Sequence, residues 1–425
     1  MRRSYPETVE FLYGLLPMYQ RTGAFAGKYD LSRTEALLAA LGDPHRRLRA
    51  VHVAGTNGKG SVSSAIASLC TAAGRRVGLY TSPHYVDYRE RVRIDGAMVP
   101  ETYVVDFVHA HEALIAETGA SFFEFTVALA FSYFAAEGVD LAVVEVGLGG
   151  RLDSTNVLDP LVSVITNIDL DHTEVLGDTR AAIAVEKAGI IKPGRPVVIG
   201  RHQSETQPVF RRIAAERGAA LHEAWTSSAA ELQALDWSAL SLQGPFAREN
   251  ARTALAAYSV LRKRYPLPPA YLDALTRMRE LSGYTGRFTT AIPSAGGGPR
   301  VIVDAGHNEA AWARIVPAVV AEAGAGPCDV VCGFVRGKTP LSFARLWPPA
   351  TRFYVADMPA LPRNKPRAET MAELEEGGIA ARGFGSVPEA YAAALKEAAT
   401  DGLVYVGGSS FVAGDFLAAT SPRPA

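Results

Sequence analysis

From residue 48 onward, short runs of aliphatic and β-branched residues alternate with longer stretches of helical periodicity. That rhythm is the mark of repeated βαβ units around a largely parallel sheet. Nearly unbroken apolar runs predict strands at 50–54, 77–80, 141–146, 162–166 and 196–199. A strand reads this way when both of its faces are covered. Between them the periodicity predicts helices beginning near Lys59, Glu101, Phe122 and Thr179, with Gly74 closing the first and Asp178 capping the last. The rhythm breaks where Ser282-Gly283-Tyr284-Thr285-Gly286 and Ala295-Gly296-Gly297-Gly298-Pro299 bracket a short strand-like stretch. It resumes on a smaller scale, with strands predicted at 301–304, 330–334, 352–356 and 403–406. The chain is therefore expected to be an α/β protein, with a doubly wound, mostly parallel domain over 1–284 and a smaller α/β domain over 285–425.

Composition narrows the functions open to such a chain. Its 425 residues carry 43 Lys and Arg against 44 Asp and Glu, a net charge of −1. Without a basic surplus there is little counterion release to drive nucleic-acid binding. The charge-free stretch at 125–136 falls well short of the roughly 18 apolar residues that a membrane span needs. No apolar run follows Arg2 and Arg3 as an export signal would require. The cysteines are Cys70, Cys328 and Cys332, without CxxC spacing, so neither a disulfide framework nor a zinc cage is expected. Cys328 and Cys332 stand four apart around a predicted strand and read as core thiols; Tyr258 and Trp312, at helical spacing, also read as core. A soluble cytoplasmic enzyme fits these features.

Chemistry enters at the ends of the predicted strands. Gly55-Thr56-Asn57-Gly58-Lys59-Gly60-Ser61 follows the first strand and opens a helix. Glycines there let successive backbone N–H groups face a phosphate chain, and the helix N-terminus adds partial positive charge. Lys59 is placed to neutralise β- and γ-phosphates and Ser61 to face a metal. Two residues separate Gly55 from Gly58, and Gly60 intervenes before Ser61, so the spacing departs from GxxxxGK[ST]. Glu145, ahead of Gly147, Gly149 and Gly150, is a candidate Mg²⁺ ligand; the alternative is a strand acid satisfied by neighbouring amides. His172, in Asp169-Leu170-Asp171-His172-Thr173, is a candidate to complete the metal site or an exposed loop histidine. Ser82, in Thr81-Ser82-Pro83-His84, offers a hydroxyl to metal or phosphate, and Arg89 to Arg93 read equally as carboxylate partners or as a solvated charge run. Lys187 falls in the last turn of a predicted helix, where it needs no role beyond complementing the macrodipole. Asp304, His307 and Asn308, with Arg287 and Asn250, are candidates to close over a nucleotide held by the first domain.

Taken in order, GTNGKGS, TSPH with RERVR, FFEFT, EVGLGGRLDSTN, DHTEVLG, EKAG and DAGHN resemble the folylpolyglutamate synthase and dihydrofolate synthase family of the Mur ligase superfamily, over about residues 9–415. The resemblance implies an N-terminal P-loop domain and a Rossmann-like C-terminal domain. It implies an enzyme that activates a carboxylate with ATP as an acyl phosphate and joins it to L-glutamate, with dihydropteroate or a folate as acceptor. Two Mg²⁺ ions, a carbamylated lysine at Lys187 and a monomeric state come with it. By the same resemblance Lys59 and Ser61 hold the ATP phosphates, and Ser82, Glu145, His172 and carbamylated Lys187 hold metal. Asn250, Arg287 and Asp304 contact the nucleotide, with His307 and Asn308 in the same cleft. Ser121, Asp153 and Ser154 border the pterin.

The chain also departs from the family pattern. Relatives commonly show Asp-Lys-Asp where this chain has Gly337-Lys338-Thr339, and Gly27-Lys28-Tyr29-Asp30 differs from the Gly-Leu-x-Arg of some relatives. Only 54 residues precede Gly55, against a separate N-terminal domain in the ligases that act on nucleotide sugars, so a peptidoglycan ligase is not expected. A Mur-like ligase acting on a different carboxylate, or a non-catalytic nucleotide-binding protein, are the competing readings.

Overall fold

The computed structural model describes residues 2–15, 30–226, 230–291, 298–324, 326–358 and 363–420. Residues 27–29 and 295–297 of the segments noted above lie outside the described residues. The first sheet comprises β1 (Ala50–Ala54), β2 (Val77–Tyr80), β3 (Val92–Ile94), β4 (Ala97–Met98), β5 (Leu141–Glu145), β6 (Val162–Ile165), β7 (Val197–Ile199) and β8 (Leu221–Glu223). Their order across the sheet is β4-β3-β2-β5-β1-β6-β7-β8. β1 pairs in parallel with β5 on one side and β6 on the other. The chain thus leaves β1 in one direction and returns on its other flank, which opens a crevice at the carboxyl ends of β1, β5 and β6.

Alternation of side chains assigns each face of this sheet its own cover. Val51 and Val53 pack with the helices Lys59–Ala72 and Ala247–Arg262, while Ala50, Tyr80, Ala142 and Val144 pack with the helix Phe122–Ala136. β3 and β4 form an antiparallel edge and were not expected. The second sheet comprises β9 (Thr289–Ala291), β10 (Arg300–Val303), β11 (Cys328–Cys332), β12 (Arg352–Ala356), β13 (Ala381–Phe384) and β14 (Leu403–Gly407), in the order β13-β12-β11-β14-β10-β9. It is parallel except at β9, which runs against β10. α-Helices connect most successive parallel strands in both sheets, as the α/β expectation required; β5 reaches β6 through a short 3-10 turn, Ser154–Val157, instead.

Cys328 and Cys332 lie on one face of β11 with Val330, inside the core, as free thiols; Cys70, Tyr258 and Trp312 are buried as well. Asp329, on the same strand and fully buried, is held by Arg352 of β12 through Nε at 2.6 Å and Nη2 at 2.7 Å. The helix Arg180–Ala188 is capped by Thr179, whose Oγ1 accepts the Ala182 N–H at 3.2 Å, and not by Asp178. The extended conformation of Thr179 lets its hydroxyl face the first turn. The helix Lys59–Ala72 ends at Ala73, and Gly74 follows at φ 76°. Among the described residues no helix is long and apolar enough to cross a membrane.

Candidate active site

The glycine-rich turn is glycine where its neighbours leave no room. Gly55 has φ 149°, and a Cβ there would lie 1.8 Å from Thr166 Oγ1; Gly58 has φ 82°, and a Cβ would lie 2.4 Å from Asn250 Oδ1. The chain after β6 supports the turn from below. Thr166 Oγ1 and Asn167 Nδ2 donate to Asn57 O at 2.6 and 2.9 Å, and the Asn57 N–H donates back to Asn167 Oδ1 at 3.0 Å. Free backbone N–H groups therefore face the crevice at the start of the helix Lys59–Ala72. Lys59 Nζ donates to Thr56 O at 3.2 Å; burial lowers its pKa, while Glu145 and Asp171 hold it up. Ser61 Oγ is 3.1 Å from the Tyr284 hydroxyl, a partner with no signal in the sequence.

Glu145 closes β5 and is 2% exposed. Its Oε2 accepts the Ser82 N–H at 3.0 Å, which brings Ser82 to the same point. Burial pushes the Glu145 carboxyl up, and the Lys59 ammonium opposes this. A buried carboxylate, with Ser82 on the same cleft wall, offers hard-oxygen donors of the kind a magnesium-type cation takes. His172 sits in the left-handed region at φ 52° and groups with Asp171 and His307, their donor atoms all within 4.8 Å. Burial takes its imidazole down to about 4, so the ring is neutral and able to ligate at physiological pH.

Lys187 overturns its reading as a dipole-complementing surface lysine. It is 4% exposed, and burial followed by the nearby Lys59 charge takes its pKa from 10.5 to about 7. The solvated reading of the arginine run also fails. Arg91 is fully buried with Nε donating to His84 Nδ1 at 2.7 Å, and Arg89 pairs with Asp87 at 2.8 Å. Both reversals have one cause: the faces these residues occupy are covered by elements distant in the sequence.

The second sheet brings its own residues to the crevice. Arg287 is half-buried, with its guanidinium 5.7 Å above the Tyr85 ring. Asp304, at the end of β10, accepts the N–H groups of Phe288 at 2.8 Å and Gly306 at 2.6 Å; burial raises its carboxyl and Arg287 opposes this. His307 Nδ1 lies 3.1 Å from Ala305 O. Asn308 caps the helix Glu309–Ala323 through the Ala311 N–H at 2.9 Å and reaches Asn57 with its Nδ2 at 3.1 Å.

A cleft of about 1160 Å³ runs between the two sheets. Gly55 to Ser61, Ser82, Glu145, His172, Lys187, Asn250, Arg287, Asp304 and His307 all line it. Ser121, Asp153 and Ser154 line it further along, with Tyr13, His84 and Phe122. Ser121 caps the helix Phe122–Ala136, with Oγ accepting the Glu124 N–H at 3.3 Å. Asp153 accepts the N–H groups of Leu148 at 2.8 Å and Thr155 at 3.0 Å, and Thr155 is steadied in turn by His52 at 2.8 Å. Asp171 also lines the cleft and is paired from outside the lining by Lys338, 2.8 Å away; Asp171 was not singled out from the sequence, although it stands beside His172 in its motif, and Lys338 was noted only as part of Gly337-Lys338-Thr339.

Similarity to known proteins extends over nearly the whole chain. The Mur ligase middle domain family matches residues 53–244. Folylpolyglutamate synthase of Lacticaseibacillus casei is 33% identical over 95% of this chain and 96% of its own. Among solved structures, Escherichia coli FolC in complex with DHPP and ADP superposes with a TM-score of 0.81 at 28% identity, covering 98% of this chain and 97% of that one. A bifunctional folylpolyglutamate synthase/dihydrofolate synthase with Mn, AMPPNP and L-glutamate bound superposes with a TM-score of 0.78 at 28% identity, covering 99% of both chains.

Proposed function

This chain belongs to the folylpolyglutamate synthase and dihydrofolate synthase family of Mur ligases, and from that premise we propose how its residues divide the work of the reaction. It is an ATP-dependent ligase that adds L-glutamate to a pterin-bearing carboxylate, dihydropteroate or a folate. A carboxylate is a poor electrophile. Transfer of the γ-phosphoryl group to it, with release of ADP, converts its oxygen into part of a phosphate leaving group. The glutamate amine, having lost a proton, then attacks the carbonyl carbon, and phosphate departs as the amide forms.

The backbone N–H groups from Gly58 to Ser61, at the start of the helix, cradle the phosphates together with the Lys59 and Ser61 side chains. Asn250, Arg287 and Asp304 contact the rest of the nucleotide, with His307 along the same wall and Asn308 behind it, hydrogen-bonded to Asn57. Ser82, Glu145 and His172 hold the divalent cations, which when bound neutralise charge on the phosphates. Lys187, half neutral near pH 7, has the free amine that reaction with carbon dioxide requires. Carbamylation makes it an anion able to ligate a second cation. Ser121, Asp153 and Ser154 border the pterin part of the acceptor. Residues 1–284 act as the ATP-binding domain and 285–425 as the domain that closes on it. The enzyme works as a cytoplasmic monomer, without a nucleic-acid or membrane partner.

The observation that carries this reading is the meeting of Lys59, buried Glu145 and, from beyond residue 284, Arg287 and Asp304 in one cleft. The test is glutamate-dependent phosphate release from MgATP, with dihydropteroate and tetrahydrofolate supplied separately and products identified by mass. Turnover with either acceptor is expected. ATP binding without turnover on either would transfer the assignment to a ligase of another carboxylate.

A further inference from the structure

Between the two sheets lies an ion pair, Asp171 with Lys338, to which the nucleotide, cation and acceptor roles assign no task. Asp171, on the loop after β6, is 7% exposed and turns both carboxylate oxygens toward the second sheet. Its Oδ1 accepts Lys338 Nζ at 2.8 Å, and its Oδ2 accepts Asn308 Nδ2 at 3.0 Å. The same Oδ1 accepts the His172 N–H at 3.1 Å. Lys338 is itself well anchored. Its N–H donates to Val335 O at 3.3 Å, and its carbonyl accepts Lys365 Nζ at 3.2 Å. The ammonium therefore arrives at Asp171 from a fixed loop of the second sheet, and its side chain is only 20% exposed.

His172 makes this contact consequential. A non-glycine residue at φ 52° holds a disfavoured left-handed conformation that persists only when its surroundings impose it. The Asp171 carboxylate, bonded to the His172 N–H, supplies one such restraint. We infer that Lys338 is a positioning residue for the ligase reaction: it fixes Asp171, and through it the turn that aims the His172 imidazole, when the two domains are docked. The cation site is thereby assembled in register with domain closure, and Lys338 acts without touching the reactants. The inference rests on the proposed role of His172.

A double-mutant cycle separates action through Asp171 from direct action on substrate. The variants are Lys338→Met, Asp171→Asn and the pair together, with Lys338→Arg as the charge-keeping control. Loss of one partner of a buried, hydrogen-bonded charge pair predicts a fall in kcat of about 30-fold for Lys338→Met, with KM for ATP within about twofold of wild type. The double variant should be no slower than the slower single variant, and Lys338→Arg should stay within about threefold of wild type. Small-angle scattering without ligands gives a readout independent of turnover: Lys338→Met and Asp171→Asn should raise the radius of gyration equally. Multiplying losses in the double variant, an unchanged kcat or unchanged scattering in Lys338→Met, or a Lys338→Arg as impaired as Lys338→Met would each overturn the inference. A wild-type enzyme without glutamate-dependent turnover would count against the assigned reaction, and scattering would still decide the role of Lys338.

Discussion

Replacing Lys187 with methionine is expected to stabilise the protein while ending its ligase activity. The side chain is buried, and the ammonium form is disfavoured first by loss of water and then by Lys59, so that its pKa falls from 10.5 to about 7. A lowering from 10.5 to about 7 corresponds to about 5 kcal/mol. At pH 7.5, where the folded lysine is mostly neutral and the unfolded one charged, about 4 kcal/mol of this opposes folding. The sign follows from proton counts. Between about pH 7 and 10.5 the unfolded chain binds more protons at this site than the folded one, so the lysine's contribution to stability rises with pH across that window. Methionine keeps the unbranched shape and removes the titration. Its advantage should therefore be up to about 4 kcal/mol at pH 7.5 and shrink to roughly 1.5 kcal/mol near pH 9.5. Urea unfolding of both proteins in carbon-dioxide-free buffer across this range measures the gap. Phosphate release at saturating substrates measures the activity, which should vanish. A Lys187→Met protein less stable than wild type at pH 7.5, or a gap that does not narrow with pH, would refute the argument.

Three further outcomes follow from the site and the core. Glu145→Gln keeps the shape of the side chain but removes the charge offered to the cation; glutamate-dependent phosphate release should fall at least about 100-fold. Its melting temperature should stay level or rise, since burial already disfavours the Glu145 charge. Asp153→Asn should raise KM for dihydropteroate by about tenfold while leaving KM for ATP unchanged, because a charge-assisted hydrogen bond contributes about 1.5–3 kcal/mol; a shift in both constants would place Asp153 elsewhere. Arg352→Met leaves the fully buried Asp329 carboxylate without its charged partner, with the Tyr354 hydroxyl at 3.3 Å still donating to it, and should lower stability by about 2–3 kcal/mol in urea unfolding. An unchanged midpoint would mean that the pair contributes nothing.

The strands buried on both faces were legible from the chain alone: β1, β2 and β12 fall on the residues that their apolar runs predict. The edge strands β3, β4, β8 and β13 were not. β13, for instance, is Ala381-Arg382-Gly383-Phe384, partly exposed along its length, and a strand without two covered faces leaves no apolar run to read. Local chemistry was legible in the same way. The glycine-rich turn, Glu145 and Asp304 each follow a buried strand, and the carboxyl ends of such strands gather where the sheet order reverses.

Periodicity reports which faces of an element are covered, and a motif reports which donors and charges lie within a few residues. Neither reports what stands across a gap. Lys187 is an ordinary helix-end lysine until distant segments exclude water from it, and Arg91 belongs to a charge run until Phe122 and His84 enclose it. The contact of Asp171 with Lys338 joins residues 167 apart in the chain, and it depends on how one sheet is set against the other. The sequence by itself determined the α/β class, the phosphate cradle and the order of the site motifs, because these follow from local burial and local chemistry. The tertiary structure alone decided which of the charged groups are buried, what faces them, and hence their charge state, because desolvation and Coulomb interactions depend on distance in space.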